Sequence, residues 1–241
     1  MNYMILHSCY ALGALLCPFL IAGLNTVHPR MPMIGLAGIG LLMWLIFCFA
    51  HLPGKEKTAD EIRKKSELSF LRSADFWLLT AMVFCQNAAE TSVTGWMVTY
   101  YRNMNVLSGI FSAYTMTVMW TATLIARLLL AFVIPVKNRP KALCFMGIAC
   151  TGLYLLMIPI MSPVPAILVL FLFSSAMAGV NPMSTAMTGK AMSPESMGVL
   201  LPVAALGGIL MPALIGFIAN TAGLQTGMMI NLIPCGGIAL L

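Results

Sequence analysis

Glu90 is the one carboxylate in a long apolar stretch, Phe76 to Tyr101, whose centre reads QNAAETSVTGWMVTYY. A carboxylate at bilayer depth costs at least about 2.5 kcal/mol on insertion scales. Such acids face a wet cavity or a partner inside a helix bundle. Two readings of Glu90 follow: a cavity-facing group that meets a solute or a proton, or a structural hydrogen bond within the bundle. Residues three and four apart share a helix face, so Gln86, Asn87, Glu90 and Thr94 form one stripe, with Trp96 and Tyr100 forming a second about a third of a turn away.

Further stripes sit in other apolar stretches. Tyr114, Thr117 and Thr121 line up on one, and Ser174, Asn181, Ser184 or Thr185, and Thr188 line up on another. Together these would wall a cavity for a polyhydroxylated or zwitterionic solute. The competing reading is tight helix contact, where Ser and Thr hydrogen-bond across an interface. Arg127 lies about two turns before the end of its stretch, where it either snorkels to the interface or bonds the carbonyls of a neighbouring helix end. Both are structural or gating roles. His7 is either a helix-contact residue or a proton relay.

The elements that position these groups are read from composition. The chain has 241 residues, of which 60% are hydrophobic and only 8% charged, with mean hydropathy +0.94. A soluble domain carries about 25% charged residues, so the chain is an all-α, polytopic membrane protein. A helix needs about 20 apolar residues to cross a bilayer, and eight stretches qualify: about 3–24, 33–52, 76–101, 108–134, 142–161, 165–189, 197–219 and 224–241. NTVHPRMP, RNMNVLS, PVKNRPK, SPVP, KAMSPES and NTAGL, with the charged segment 53–75, separate them. In that segment opposite charges at helical spacing suggest a surface helix, a solvated linker being the alternative. Seven scattered cysteines read as packing residues, and the three histidines stand far apart, so no metal or other cofactor is expected.

The net charge of +6 is no nucleic-acid signal. One set of connections holds ten Lys and Arg, in 53–75, at Lys137, Arg139 and Lys141, and at Lys190; the other holds Arg30 and Arg102. The positive-inside rule puts the first set in the cytoplasm and predicts a multi-pass protein of the plasma (cytoplasmic) membrane, with both termini inside. Glycine and proline mark bends. Gly208, Pro212 and Gly216 recur at four-residue spacing in GGILMPALIGFIAN, and Pro182 in AGVNPM frees a carbonyl near Ala178. Broken or bent helices at depth are expected where gates move or ligands bind.

This arrangement resembles the major facilitator superfamily, matching spans five to twelve of its twelve-helix plan. The charged loop after the second span corresponds to the family's central loop, and six spans follow it. Arg127 with Arg139 and Lys141 resembles a degenerate copy of the cytoplasmic signature between the family's eighth and ninth helices. Ala126-Arg127 stands there in place of the usual Gly-Arg, and the loop's usual Asp is absent. Within the family, LHSCYALGALLCPFL, AETSVTGWMVTYY, GVNPM and GGILMPALIGFIAN are similar to the fifth, seventh, tenth and eleventh helices of the fucose-permease-like sugar symporters.

The resemblance implies a division into 1–52 (two helices of the N-terminal half), 53–75 (cytoplasmic loop) and 76–241 (a complete C-terminal six-helix half). Both ends look cut, and on this resemblance the family's first four helices are missing. It further implies a fragment of a secondary transporter, moving a sugar or similar small polar solute by alternating access with a proton as coupling ion. Its partners would be that solute, the proton and the lipid bilayer, with no nucleic acid. Solute-binding residues would be Glu90, Asn87, Gln86, Thr94, Trp96, Tyr100, Thr117, Thr121 and Asn181; Arg127, Arg139, Pro182, Gly208, Pro212 and Gly216 would serve gating or structure. The chain alone, with one complete half, is expected not to transport. The rivals are an efflux transporter of amphiphiles from the same superfamily, in keeping with 21 methionines, and a non-transporting truncated membrane protein or scaffold.

The charge bias gives a direct test of topology. Single cysteines placed at Ser66 and Asn138 in a cysteine-free background should resist an impermeant thiol reagent in intact cells. They should react once the membrane is opened. Labelling of either from outside overturns the orientation.

Overall fold

A computed structural model describes residues 3–50, 68–191 and 195–241. The described residues are helical, with no strand among them. In chain order the helices are α1 (Tyr3–Asn25), α2 (Met31–Phe49), α3 (Ala74–Asn103), α4 (Gly109–Phe132), α5 (Arg139–Met157), α6 (Pro163–Met177), α7 (Val180–Ala191), α8 (Glu195–Ala222), α9 (Leu224–Met229) and α10 (Leu232–Leu240). A short 3-10 turn, Leu68–Arg72, leads into α3. The surface helix expected within 53–75 falls mostly on 51–67, outside the described residues.

All eight expected stretches are helical, and two of them are broken. Helices α6 and α7 continue one another as a 27-residue apolar span, interrupted at Ala178–Gly179. Pro182 has no N–H for the Ala178 carbonyl, and a proline in the first turn of a helix sacrifices no bond, so the second half starts afresh at Val180. The last stretch breaks at Ile230–Asn231 for the same reason, with Pro234 in the first turn of α10. Among the described residues six spans are long and apolar enough to cross a membrane: those built on α1, α2, α4, α5, α6 with α7, and α8. The pair α9 and α10 is a shorter apolar run. At 30 residues α3, the expected third span, is long enough but more polar, and it falls outside that set.

The chain divides into two compact units. One comprises the remainder of α1 from Gly13 together with α2. Within it the helices meet where the end of the Leu24 side chain lies against Gly35. The side chains of α2 are nearly all exposed and apolar, as expected of a surface in contact with hydrocarbon.

The other unit gathers the first turns of α1, through Leu12, with the chain from Leu68 onward. Here the polar helix α3 is central, packing on α4, α7, α8, α9 and α10. Its buried side joins Met97, Tyr100 and Tyr101 to Tyr154, Leu170 and Phe173 in the main core. A smaller cluster of Phe70, Phe76, Val83, Leu200 and Ala204 closes the opposite end. Large apolar side chains such as Phe145 and Phe217 point outward, toward lipid.

Small residues set the helix spacings. A Cβ on Gly207 would strike the Phe84 carbonyl, one on Gly208 would lie 3.1 Å from Thr91, and one on Gly216 would lie 2.9 Å from the Trp96 ring. The face marked by the GGILMPALIGFIAN repeat therefore rides on α3. Gly147 is closed by backbone on another helix: a Cβ there would sit 2.6 Å from the backbone of Ile238 and Ala239. Backbone cannot swing aside as a flexible side chain can, so Gly147→Ala should destabilise by about 1–3 kcal/mol through overpacking. Gly152→Ala, on the same helix with open space around it, should be neutral or stabilising, since Ala outranks Gly in helices. Thermal melts of the two variants in detergent, compared with the parent, check the opposite signs.

Candidate functional site

Four helices of the larger unit enclose a cavity of about 230 Å³. From α3 come Asn87, Glu90, Thr91 and Thr94, and from α7 comes Asn181. The first turns of α1 supply His7 and Tyr10, and α4 supplies Trp120 and Arg127. The volume is below the roughly 300–1,000 Å³ of drug-sized sites, which suits a small solute. Glu90 also borders a closed crevice with Thr123, Ser174 and Met177.

The polar stripe of α3 is held by a chain of amides. The Gln86 side-chain amide donates to the Glu90 carboxylate. The Asn181 amide donates in turn to Gln86 Oε1 at 3.0 Å and approaches Asn87 Oδ1 at 3.4 Å. Asn87 donates onward to the Ala204 carbonyl on α8 at 3.0 Å. Through these bonds α3, α7 and α8 share one network whose end member, Glu90, lines the cavity. Gln86 itself is 1% exposed and supports Glu90 from behind. The hydroxyls of Thr91 and Thr94 bond the backbone of their own helix, Thr91 to the Asn87 carbonyl and Thr94 to that of Glu90.

Arg127 is buried and bonds two carbonyls. Its Nε donates to Ala178 O at 3.0 Å and its Nη1 to His7 O at 2.7 Å. The first acceptor is the carbonyl that Pro182 leaves without its helical partner. The last carbonyls of α6 also carry the negative end of its dipole, which favours a cation there. Of the two sequence readings of Arg127, carbonyl bonding is the one the structure adopts, and snorkelling is not. The guanidinium also forms part of the cavity wall.

Several expected site residues lie elsewhere. Trp96 donates its indole N–H to the Pro212 carbonyl at 3.0 Å and packs against Gly216, so its ring is spent on the α3–α8 contact. Tyr100 is wholly buried, its hydroxyl donating to Ile158 O at 2.6 Å. The stripe of Tyr114, Thr117 and Thr121 misses the cavity, and Tyr114 is exposed beside Phe111. The face of α4 that does reach the cavity and its crevice is Trp120, Thr123 and Arg127, at spacings of three and four. Of the expected stripe on the sixth span only Asn181 reaches the cavity; Ser184, Thr185 and Thr188 bond within the packed helices. Arg139 begins α5, outside the cavity wall.

Tyr10 and Trp120 are the aromatic pair of the site, in an edge arrangement with ring centroids 5.5 Å apart. Sequence reading passed over them. The signal was there: His7 and Tyr10 are three residues apart, and Trp120 and Arg127 seven apart, each pair on one helix face. Among the described residues no group of three or more His, Cys, Asp or Glu is placed to hold a metal ion.

The sequence model of the Major Facilitator Superfamily matches residues 3–206. None of the curated proteins compared with the chain matches it in sequence. Among solved structures it is similar to a Major Facilitator Superfamily transporter, FucP, crystallised in the outward conformation. The TM-score is 0.68 at 18% identity, over 88% of this chain and 53% of that one. At such identity the likeness is one of fold, and the chain spans about half the length of that transporter. The family comprises transporters and not enzymes, and the apolar spans make this an integral, multi-pass membrane protein. The match over most of its length shows that the chain belongs to the Major Facilitator Superfamily.

Proposed function

We propose that the chain forms the C-terminal half, with two further helices, of a secondary transporter that imports a sugar or similar small polar solute together with a proton. The observation that carries this reading is the cavity itself. It combines a carboxylate held by an amide network, two asparagines and an aromatic pair in a volume suited to a small solute. Sugars present C–H faces that rest on aromatic rings, with hydroxyls left for amides and carboxylates. The likeness of several helices to fucose-permease-like symporters favours the same substrate class. An exporter of amphiphiles would use a more apolar chamber.

In this reading Trp120 supplies the stacking surface and Asn87 and Asn181 orient hydroxyls. Glu90 takes up a proton before or with the solute, and rocking of the two halves of the whole transporter then exposes the midplane site to alternate sides. The broken helix α6–α7, pinned by Arg127, and the glycine face of α8 around Gly208, Pro212 and Gly216 are the elements on which a gate would turn.

Two measurements test this. In the complete polypeptide that carries this chain, Glu90→Gln should lose most concentrative uptake while expression is retained, since the change removes the charge and keeps the shape. PH-dependent uptake at the parent rate would assign Glu90 a purely structural role. Separately, Trp120→Ala should weaken solute binding about three- to tenfold, the worth of an aromatic contact beyond its buried area. Trp96→Ala should lower the melting temperature and leave affinity near that of the parent. The reverse pattern would return the stacking role to Trp96.

A further inference from the structure

The cavity carries more charge than a neutral sugar requires. Arg127 is 2% exposed, and both of its hydrogen-bond acceptors are neutral backbone carbonyls. The carboxylate that shares the cavity, Glu90, is bonded by Gln86 instead. Glu90 and Arg127 attract one another across the cavity, but no hydrogen bond joins them, so the carboxylate does not take up the donors of the guanidinium. A guanidinium has five N–H donors in a planar fork that matches a carboxylate two-to-two. Pinning Ala178 and His7 uses two of them, and the remaining donors belong to a group that lines the cavity.

The other wall offers acceptors. Glu90 and Asn181 line the same space, and the Asn181 amide nitrogen is already committed to Gln86, which leaves its side-chain carbonyl as the acceptor. Acceptors of this kind take hydroxyl protons. Tyr10 and Trp120 add ring faces together with an O–H and an N–H, donors that the oxygens of a polyol match and an ammonium group cannot. We propose that the solute is a polyhydroxylated monocarboxylate, a sugar acid, with its carboxylate on Arg127 and its hydroxyls toward Glu90 and Asn181. This rests on reading the cavity as the solute site, and narrows it from sugars in general to those bearing one acid group.

The test compares D-gluconate with D-glucitol, which have the same six-carbon polyol chain and differ only in carrying a carboxylate or a hydroxymethyl group at one end. Each is titrated calorimetrically into the detergent-solubilised 241-residue chain, with L-serine as a zwitterionic third probe. Gluconate should bind at least about tenfold more tightly than glucitol, the worth of a charge-assisted hydrogen bond, and more tightly than serine. In Arg127→Gln that preference should vanish. Because Arg127 also ties two helix carbonyls, the comparison on the parent chain decides the matter if the variant fails to fold. Equal affinity for gluconate and glucitol overturns the inference and leaves a neutral-sugar site. Tighter binding of serine overturns it in favour of a zwitterion. Binding of none of the three overturns both the inference and the reading of the cavity as a solute site. A folded Arg127→Gln variant that keeps the gluconate preference places the carboxylate on another group, and also overturns it.

Discussion

Backbone carbonyls at helix breaks have no water to bond in hydrocarbon, and leaving one unbonded costs several kcal/mol. The larger unit of this protein is organised around that constraint. Arg127 donates to the carbonyl orphaned by Pro182, Tyr100 to Ile158 at the end of α5, and Tyr154 to Met228 beside the second break. Asn231, at that break, donates across to the Ala89 carbonyl of α3. An interhelical hydrogen bond in a membrane contributes only about 0.6 kcal/mol on average. These bonds therefore fix where helices meet more than they hold them together; close packing on glycine and methionine does the holding.

The same constraint joins architecture to the site. A broken helix at bilayer depth is tolerated where it is buried in protein or borders a cavity, and the break between α6 and α7 has both surroundings. On one side Gly179 lies against Met146 and Leu130. On the other, Asn181 and Arg127 meet the cavity. The residue that repairs the backbone is thus also the cation of the site. The Arg127–Ala178 bond ties α4 to the end of α6, at the break that precedes α7.

The polar network on α3 has a parallel logic. Gln86, Asn87, Glu90 and Asn181 cannot be left unpaired in an apolar bundle, and they satisfy one another in series. That arrangement leaves Glu90 as the group at the end of the series, facing the open space. It also explains how a helix as polar as α3 sits at the centre of the unit: its neighbours shield it from lipid.

The sequence by itself determined the membrane class, the eight helical stretches and the stripe of Gln86, Asn87 and Glu90, because hydropathy and helical periodicity are local properties. It also marked Pro182 as the source of a free carbonyl near Ala178, since a missing N–H is a covalent fact. It did not settle which aromatic lines the cavity. Trp96 and Trp120 both lie on helices with polar neighbours, and only the packing of α8 against α3 turns the first toward Pro212 and leaves the second beside Tyr10. Nor did it show which face of α4 turns inward, because the hydroxyls of Thr117 and Thr121 suit a helix contact as well as a cavity. Those choices depend on which helix lies next to which. That is set by contacts between residues as far apart as Asn87 and Ala204, or His7 and Arg127, and only the tertiary structure brings them together.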